Sequence, residues 1–258
     1  MRLVRGDRNL LAGPARNLGV SQARGEYVAF IDADCVAESG WLASAMMALE
    51  TGAEMVGGPV LDALPWHPVA VTDNLLQFAD FPSGRPEGSA RYFPGCNMAV
   101  RKTTFLAAGG FDEEEIVAGE DTQLCDQVRE RWPRGLHFVR DMRVRHDGRQ
   151  RFVEFLRHQQ SFGYARGALG IHLSTFQQRW GLRRASMPIV VGKRFVYIMR
   201  RSVTWDLHRA PRLVLLFPLI VAGLTAWWVG FRRGCHESRR RRVATQEAVH
   251  EIGKERPR

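Results

Sequence analysis

The chain has few cysteines and almost no lysine. Cys35, Cys96, Cys125 and Cys235 are scattered and form no C-x-x-C pair, which argues against a disulfide framework or a thiolate zinc site and fits a reducing compartment. Only Lys102, Lys193 and Lys254 are lysines, so the net charge of +10 is carried by arginine. The opening Met1 to Arg5 lacks the apolar core of a secretory leader. A basic surplus can serve nucleic acid or an anionic membrane. No zinc-finger, helix-turn-helix or aromatic ribonucleoprotein pattern accompanies it, so no nucleic-acid partner is expected.

What is present suits a globular protein. At 258 residues with a 45% hydrophobic share, there is room for one large domain and an appendage. The stretch from Pro14 to Asp34 organises the rest. Pro14 fits the first turn of a helix and Gly25 its stop. Tyr27 to Ile31 is an apolar run of strand length, the pattern of a central parallel strand covered on both faces. Asp32 and Asp34 follow, two residues apart, with side chains leaving on the same side. A carboxylate pair at the carboxyl end of such a strand sits where open α/β sheets bind ligands. Hard oxygen donors favour Mg²⁺ or Mn²⁺. The plain alternative is an acidic loop after a strand.

Further along, Ser39 can cap a helix from Trp41 to a stop at Gly52, and Met55 to Leu61 resumes a strand whose glycines mark a bulge or close backbone approach. Residues 62–91 are Pro-rich with an apolar helical piece near Leu75, Leu76 and Phe78. Phe93 to Val100 returns to a strand and Arg101 to Ala108 is a short helix ended by Gly109-Gly110. Glu120 and Asp121 open a helix, where the dipole favours acidic residues by about 0.3–1 kcal/mol. Leu136 to Val139 and Met142 to His146 read as strands, and Arg151 to Leu169 as an amphipathic helix. His146 is either a functional histidine or a strand-end residue.

In this order the pieces ARNLGVSQARGEYVAFIDAD, FPGCNMAVRK followed by GGFDE, GEDTQLC, VRH and FLRHQQSFGYARG resemble a family 2 glycosyltransferase of the GT-A fold, from about Asn9 to Gly170. The resemblance implies an α/β, Rossmann-like, mostly parallel sheet with flanking helices. It implies an enzyme transferring a sugar from a nucleotide-diphosphate sugar to a hydroxyl acceptor of the cell-envelope glycan or glycolipid type, metal-assisted and inverting. Asp32 would lie near the ribose and Asp34 on the metal with His146. Arg16 and Arg166 would serve the donor, Gly95 and Asn97 the acceptor loop, and Asp121 would be the base with Glu120 beside it. Arg166 sits where relatives carry a Q-x-x-R-W-like segment, degraded here, so single-residue transfer is expected rather than processive synthesis. Relatives open with further strand–helix units that this chain lacks. The expectation is therefore an N-terminally truncated nucleotide region that binds a uridine or guanosine sugar nucleotide poorly. A non-catalytic, membrane-associated remnant is the alternative.

The expected domains are 1–170, a partial GT-A unit; 171–212, amphipathic interfacial helices; 213–231, a membrane helix; and 232–258, a basic tail, disordered or frayed. Leu213 to Phe231 is an uncharged apolar run with Trp227 and Trp228 near one end and arginines on both flanks. It predicts attachment to the cytoplasmic face of the cell membrane.

Overall fold

The structure is a computed structural model that describes residues 3–6, 10–112, 118–169, 187–207 and 210–254. Helix α1 (Ala12–Gln22) leads to β1 (Tyr27–Ile31) and β2 (Cys35–Ala37). After α2 (Trp41–Glu50) come β3 (Met55–Gly57), β4 (Val60–Asp62) and α3 (Pro68–Phe78). A short β5 (Gly88–Ser89) precedes β6 (Asn97–Arg101), α4 (Lys102–Ala107) and α5 (Glu120–Arg131). β7 (Leu136–Phe138), β8 (Val144–His146) and α6 (Phe152–Leu169) complete the sheet-bearing part. The remaining described elements are α7 (Met187–Trp205), α8 (Ala210–Leu215) and α9 (Phe217–Lys254).

The α/β class is as expected, but the sheet is mixed rather than mostly parallel. Its order is β1-β6-β3-β7-β5, with β2-β8-β4 as a second, three-stranded sheet. β6 runs antiparallel to both β1 and β3, and β5 antiparallel to β7; β3–β7 and β4–β8 are the parallel pairs. β1 lies at an edge and not at the centre. Its apolar run misled because only Phe30 is buried, packed edge-on to Phe111 at 5.4 Å, while Ile31 is exposed. Leu3 and Val4 form no strand, and Gly40 at φ 84°, rather than Ser39, caps α2.

The expected strand from Met55 to Leu61 is broken in two by Gly58. A Cβ there would stand 2.0 Å from the Met142 carbonyl oxygen, and one on Gly57 would stand 2.4 Å from the Phe93 ring. This is the close backbone approach that the glycines predicted. It hands the chain from the first sheet to the second and so brings β8, with His146, beside β2.

The predicted membrane helix is a correction. Among the described residues no helix is long and apolar enough to cross a membrane. Leu213 and Leu216, then Ile220, Leu224, Trp227, Trp228 and Phe231, are buried in the protein. The first four pack with Val71 and Leu76 of α3, Phe155 of α6 and Ile198 of α7, and the last three with Phe162 of α6 and Met187 and Val190 of α7. Apolar length was present, but its hydrophobic stripe is satisfied by other helices. The basic tail continues α9 as helix to Lys254. Residues 171–186 of the expected interfacial segment lie outside the described residues.

α6 and α9 touch through glycines. Gly163 and Gly167 on α6 face Gly230 and Gly234 on α9. A Cβ on Gly163 would come within 1.9 Å of the Trp227 carbonyl oxygen, and one on Gly230 within 1.9 Å of that of Gln160. This small-xxx-small spacing on both helices lets the backbones approach closely. The contact fixes α6, and with it one wall of the cavity described next.

Candidate active site

One cavity of about 740 Å³ is lined by Arg16, Asp32, Asp34, Gly95, Glu120, Asp121, His146 and Arg166, among others. All but one of the expected site residues therefore converge on it. The exception is Asn97. Its side chain is buried, taking a hydrogen bond from Trp41 Nε1 (2.8 Å) and donating to the carbonyls of Pro59 (3.0 Å) and Met142 (2.9 Å). Asn97 pins the two sheets together and is not an acceptor-loop contact.

Asp32 and Asp34 share the cavity but not a partner. Arg16, on α1, donates to Asp32 Oδ1 and to Glu120 Oε1, both at 2.7 Å. Asp34 Oδ2 instead lies 3.7 Å from His146 Nε2 and 3.3 Å from Arg149 Nη1. The two carboxylates follow the end of β1 within a turn, and that turn sends them to different neighbours.

Glu120 and Asp121 open α5 behind Gly119, whose φ of 104° suits glycine. Asp121 Oδ2 accepts from the Gly95 N–H (3.0 Å) and Oδ1 from the Thr122 N–H (2.7 Å). Burial pushes the Asp121 carboxyl above its ordinary value despite those bonds. Burial also raises Glu120, the neighbouring Asp121 charge adds to it, and Arg16 opposes it. Glu113 to Glu115, which repulsion arguments would also invoke, lie outside the described residues. Asn17, which the sequence did not single out, holds the backbone at Phe111. Its amide donates to the Phe111 carbonyl (2.9 Å) and accepts the Phe111 N–H (3.0 Å).

A divalent cation fits the Asp34–His146 end. His146 Nδ1 lies 2.7 Å from Asn74 Oδ1. The Asn74 amide nitrogen donates elsewhere, to Asp62 Oδ1 and the His146 carbonyl, both at 3.1 Å. The amide oxygen must therefore accept, so Nδ1 carries the proton and the Nε2 lone pair faces Asp34. Burial lowers the His146 pKa, which keeps the ring neutral as a ligand must be. Cys35 also offers its sulfur within 4.8 Å of these two groups, a neighbour that the scattered cysteines did not suggest.

Arg16→Met is expected to destabilise the fold by about 3 kcal/mol, because it strands the buried Glu120 carboxylate. Since Glu120 is raised by burial, the loss is largest above its folded pKa and shrinks as acid protonates it. Urea unfolding of both proteins across pH checks this, and an equal loss at every pH contradicts it.

The profile described as "Glycosyl transferase family 2" matches residues 1–65. Over that stretch the chain is similar to family 2 glycosyltransferases. The matched stretch contains α1, β1 and both carboxylates of the D-x-D. A pre-mycofactocin glycosyltransferase of Mycobacterium tuberculosis (strain CDC 1551 / Oshkosh) is 27% identical over 167 residues, which are 62% of this chain and 35% of that protein. The mouse polypeptide N-acetylgalactosaminyltransferase 12 is 36% identical over 67 residues, 26% of this chain and 12% of that protein. The chain thus spans about a third or less of these curated relatives. The mannosyltransferase PcManGT from Pyrobaculum calidifontis, solved with GDP-Man and Mn²⁺, aligns at a TM-score of 0.46 and 15% identity, covering 94% of this chain and 69% of that one.

Proposed function

We propose that the chain transfers a sugar from a nucleoside-diphosphate sugar to a hydroxyl acceptor on a GT-A-like scaffold, with inversion. The observation that carries this reading is the meeting in one cavity of an Asp34–His146 donor pair and the Asp121 carboxylate anchored to Gly95. Asp34 and His146 would hold the metal. An imidazole beside a carboxylate suits Mn²⁺ better than Mg²⁺. When bound, the cation neutralises charge on the leaving diphosphate.

The chain's own groups do the rest. Gly95 and Thr122 fix both Asp121 oxygens, leaving lone pairs for the acceptor hydroxyl. Asp121 takes that proton as the acceptor oxygen bonds to the anomeric carbon and the bond to the diphosphate oxygen breaks. Attack opposite the leaving group inverts the centre. Arg16 holds Asp32 and Glu120 in register with Asp121.

The test is Mn²⁺ binding followed by electron paramagnetic resonance, together with nucleoside diphosphate release from sugar nucleotides. Asp34→Asn and His146→Ala are each expected to weaken Mn²⁺ at least about tenfold. Unchanged Mn²⁺ affinity in both variants would remove the metal from this place.

A further inference from the structure

The cavity extends beyond the Glu120–Asp121 pair to a wall built by α6, α7 and the loop after α3. Arg85, Arg166, Arg194 and Arg201 all line it. The carboxylates near them are Asp80 and Asp126, and both are already engaged, Asp126 with Arg129 at 3.0 Å. Asp80 accepts from Tyr92 OH at 2.7 Å and from Tyr197 OH, and pairs with Arg201 Nε at 2.9 Å. Arg85 donates to the backbone carbonyls of Asp80, at 2.9 Å, and Ser89, at 3.4 Å.

Arg194 is the decisive residue. Its Nη2 donates to the Leu76 carbonyl at 3.1 Å and its guanidinium lies 4.4 Å from the Trp227 ring. Its Nε is buried with no hydrogen-bond partner among the described residues. Burial lowers its pKa to about 10, and Arg166 repels it further. Arg166 is itself lowered by burial more than the fields of Tyr92 and Asp126 restore. Burial lowers Arg85 as well, and Arg201 adds to that. A buried, mutually repelling set of guanidiniums is costly unless an anion completes it.

We propose that this wall is a subsite for a phosphate group carried by the acceptor. Four guanidiniums beside two carboxylates that are already paired suit a dianion better than a carboxylate, and the planar fork of arginine matches phosphate oxygens. The donor's diphosphate belongs at the other end, with Asp34, His146 and Arg149. Placing the phosphate on the acceptor rests on the transfer reading above; the existence of an anion subsite does not.

Calorimetry of the full chain with inorganic phosphate in EDTA tests it. Wild type is expected to bind phosphate, with Arg166→Gln and Arg201→Gln each weakening it at least about tenfold, and Asp34→Asn leaving it unchanged. Arg201 is partly exposed, so its variant is expected to fold, and Arg194→Lys adds a charge-preserving change that spoils the planar fork. Absent phosphate binding, equal binding by all the arginine variants, or loss in Asp34→Asn would overturn the subsite. Failure of wild type to bind Mn²⁺ with arginine-dependent phosphate binding intact would sink the metal-assisted reading and leave the subsite standing. Glucose 1-phosphate and dodecyl phosphate then compete against inorganic phosphate, and tighter binding of either supports the proposal and names the carrier.

Discussion

Asp121→Asn is expected to lower sugar transfer by about 10²–10⁴-fold, the usual contribution of a positioned base. Mn²⁺ affinity should stay within about twofold, because Asp121 contacts Gly95 and Thr122 rather than Asp34 or His146. The measurement is nucleoside diphosphate released from a sugar nucleotide with Mn²⁺, alongside thermal unfolding. Retained turnover would take the base role from Asp121. The wild-type pH profile carries the same signature. Burial raises Asp121, so activity should climb with pH through a value above the ordinary aspartate pKa of about 3.9. The charged and titratable groups around it are Arg16, Glu120, Cys96 and Cys125. Arg16 opposes that rise, whereas both thiols stay neutral, Cys96 pushed up by its hydrogen bond with Cys35 and by burial, Cys125 by burial. Stability should move the opposite way. Two carboxyls with raised folded pKa values bind more protons folded than unfolded, so stability falls as pH rises from about 4 through those values.

Gly230→Ala is expected to cost about 3 kcal/mol or more although it adds a single methyl. The new carbon would stand 1.9 Å from the Gln160 carbonyl oxygen and 2.9 Å from Tyr164 N. Both are helix backbone, which cannot rotate away as a side chain can, so α6 and α9 must separate along the whole contact. Gly163 and Gly234 meet the opposite backbone equally closely, at 1.9 and 2.1 Å. Gly192 on α7, with nothing within 4 Å, is the control. Alanine there should stabilise by about 0.5–1 kcal/mol, the ordinary helix preference. Denaturant unfolding compares the two, and a Gly230→Ala protein as stable as wild type would dismiss the close glycine contact.

Much of the site was legible because its parts are local. The D-x-D after an apolar strand, the E-D opening a helix after a glycine, and the glycine of FPGC each carry their chemistry in adjacent residues. All of these reach the cavity. Asn97 stood in the same motif, but as the first residue of β6 its side chain is taken up by Trp41 and the carbonyls of Pro59 and Met142, partners far away in sequence. Asn74 and Arg194 gave no signal. An asparagine matters here only because it meets a histidine 72 positions away, and an arginine in an apolar helix reads as a surface charge until its neighbours are known.

The sequence alone determined the alternation of strands and helices and the placing of carboxylates at their ends, because propensity, glycine and dipole preferences act over a few residues. The tertiary structure decided what depends on distant partners. It set β1 at an edge of a mixed sheet and split Asp32 from Asp34 between Arg16 and His146. It also divided an apolar stretch of membrane length between α8 and α9 and packed one stripe of it against α3, α6 and α7, because an apolar stripe is satisfied equally by lipid or by protein and only distant partners decide which.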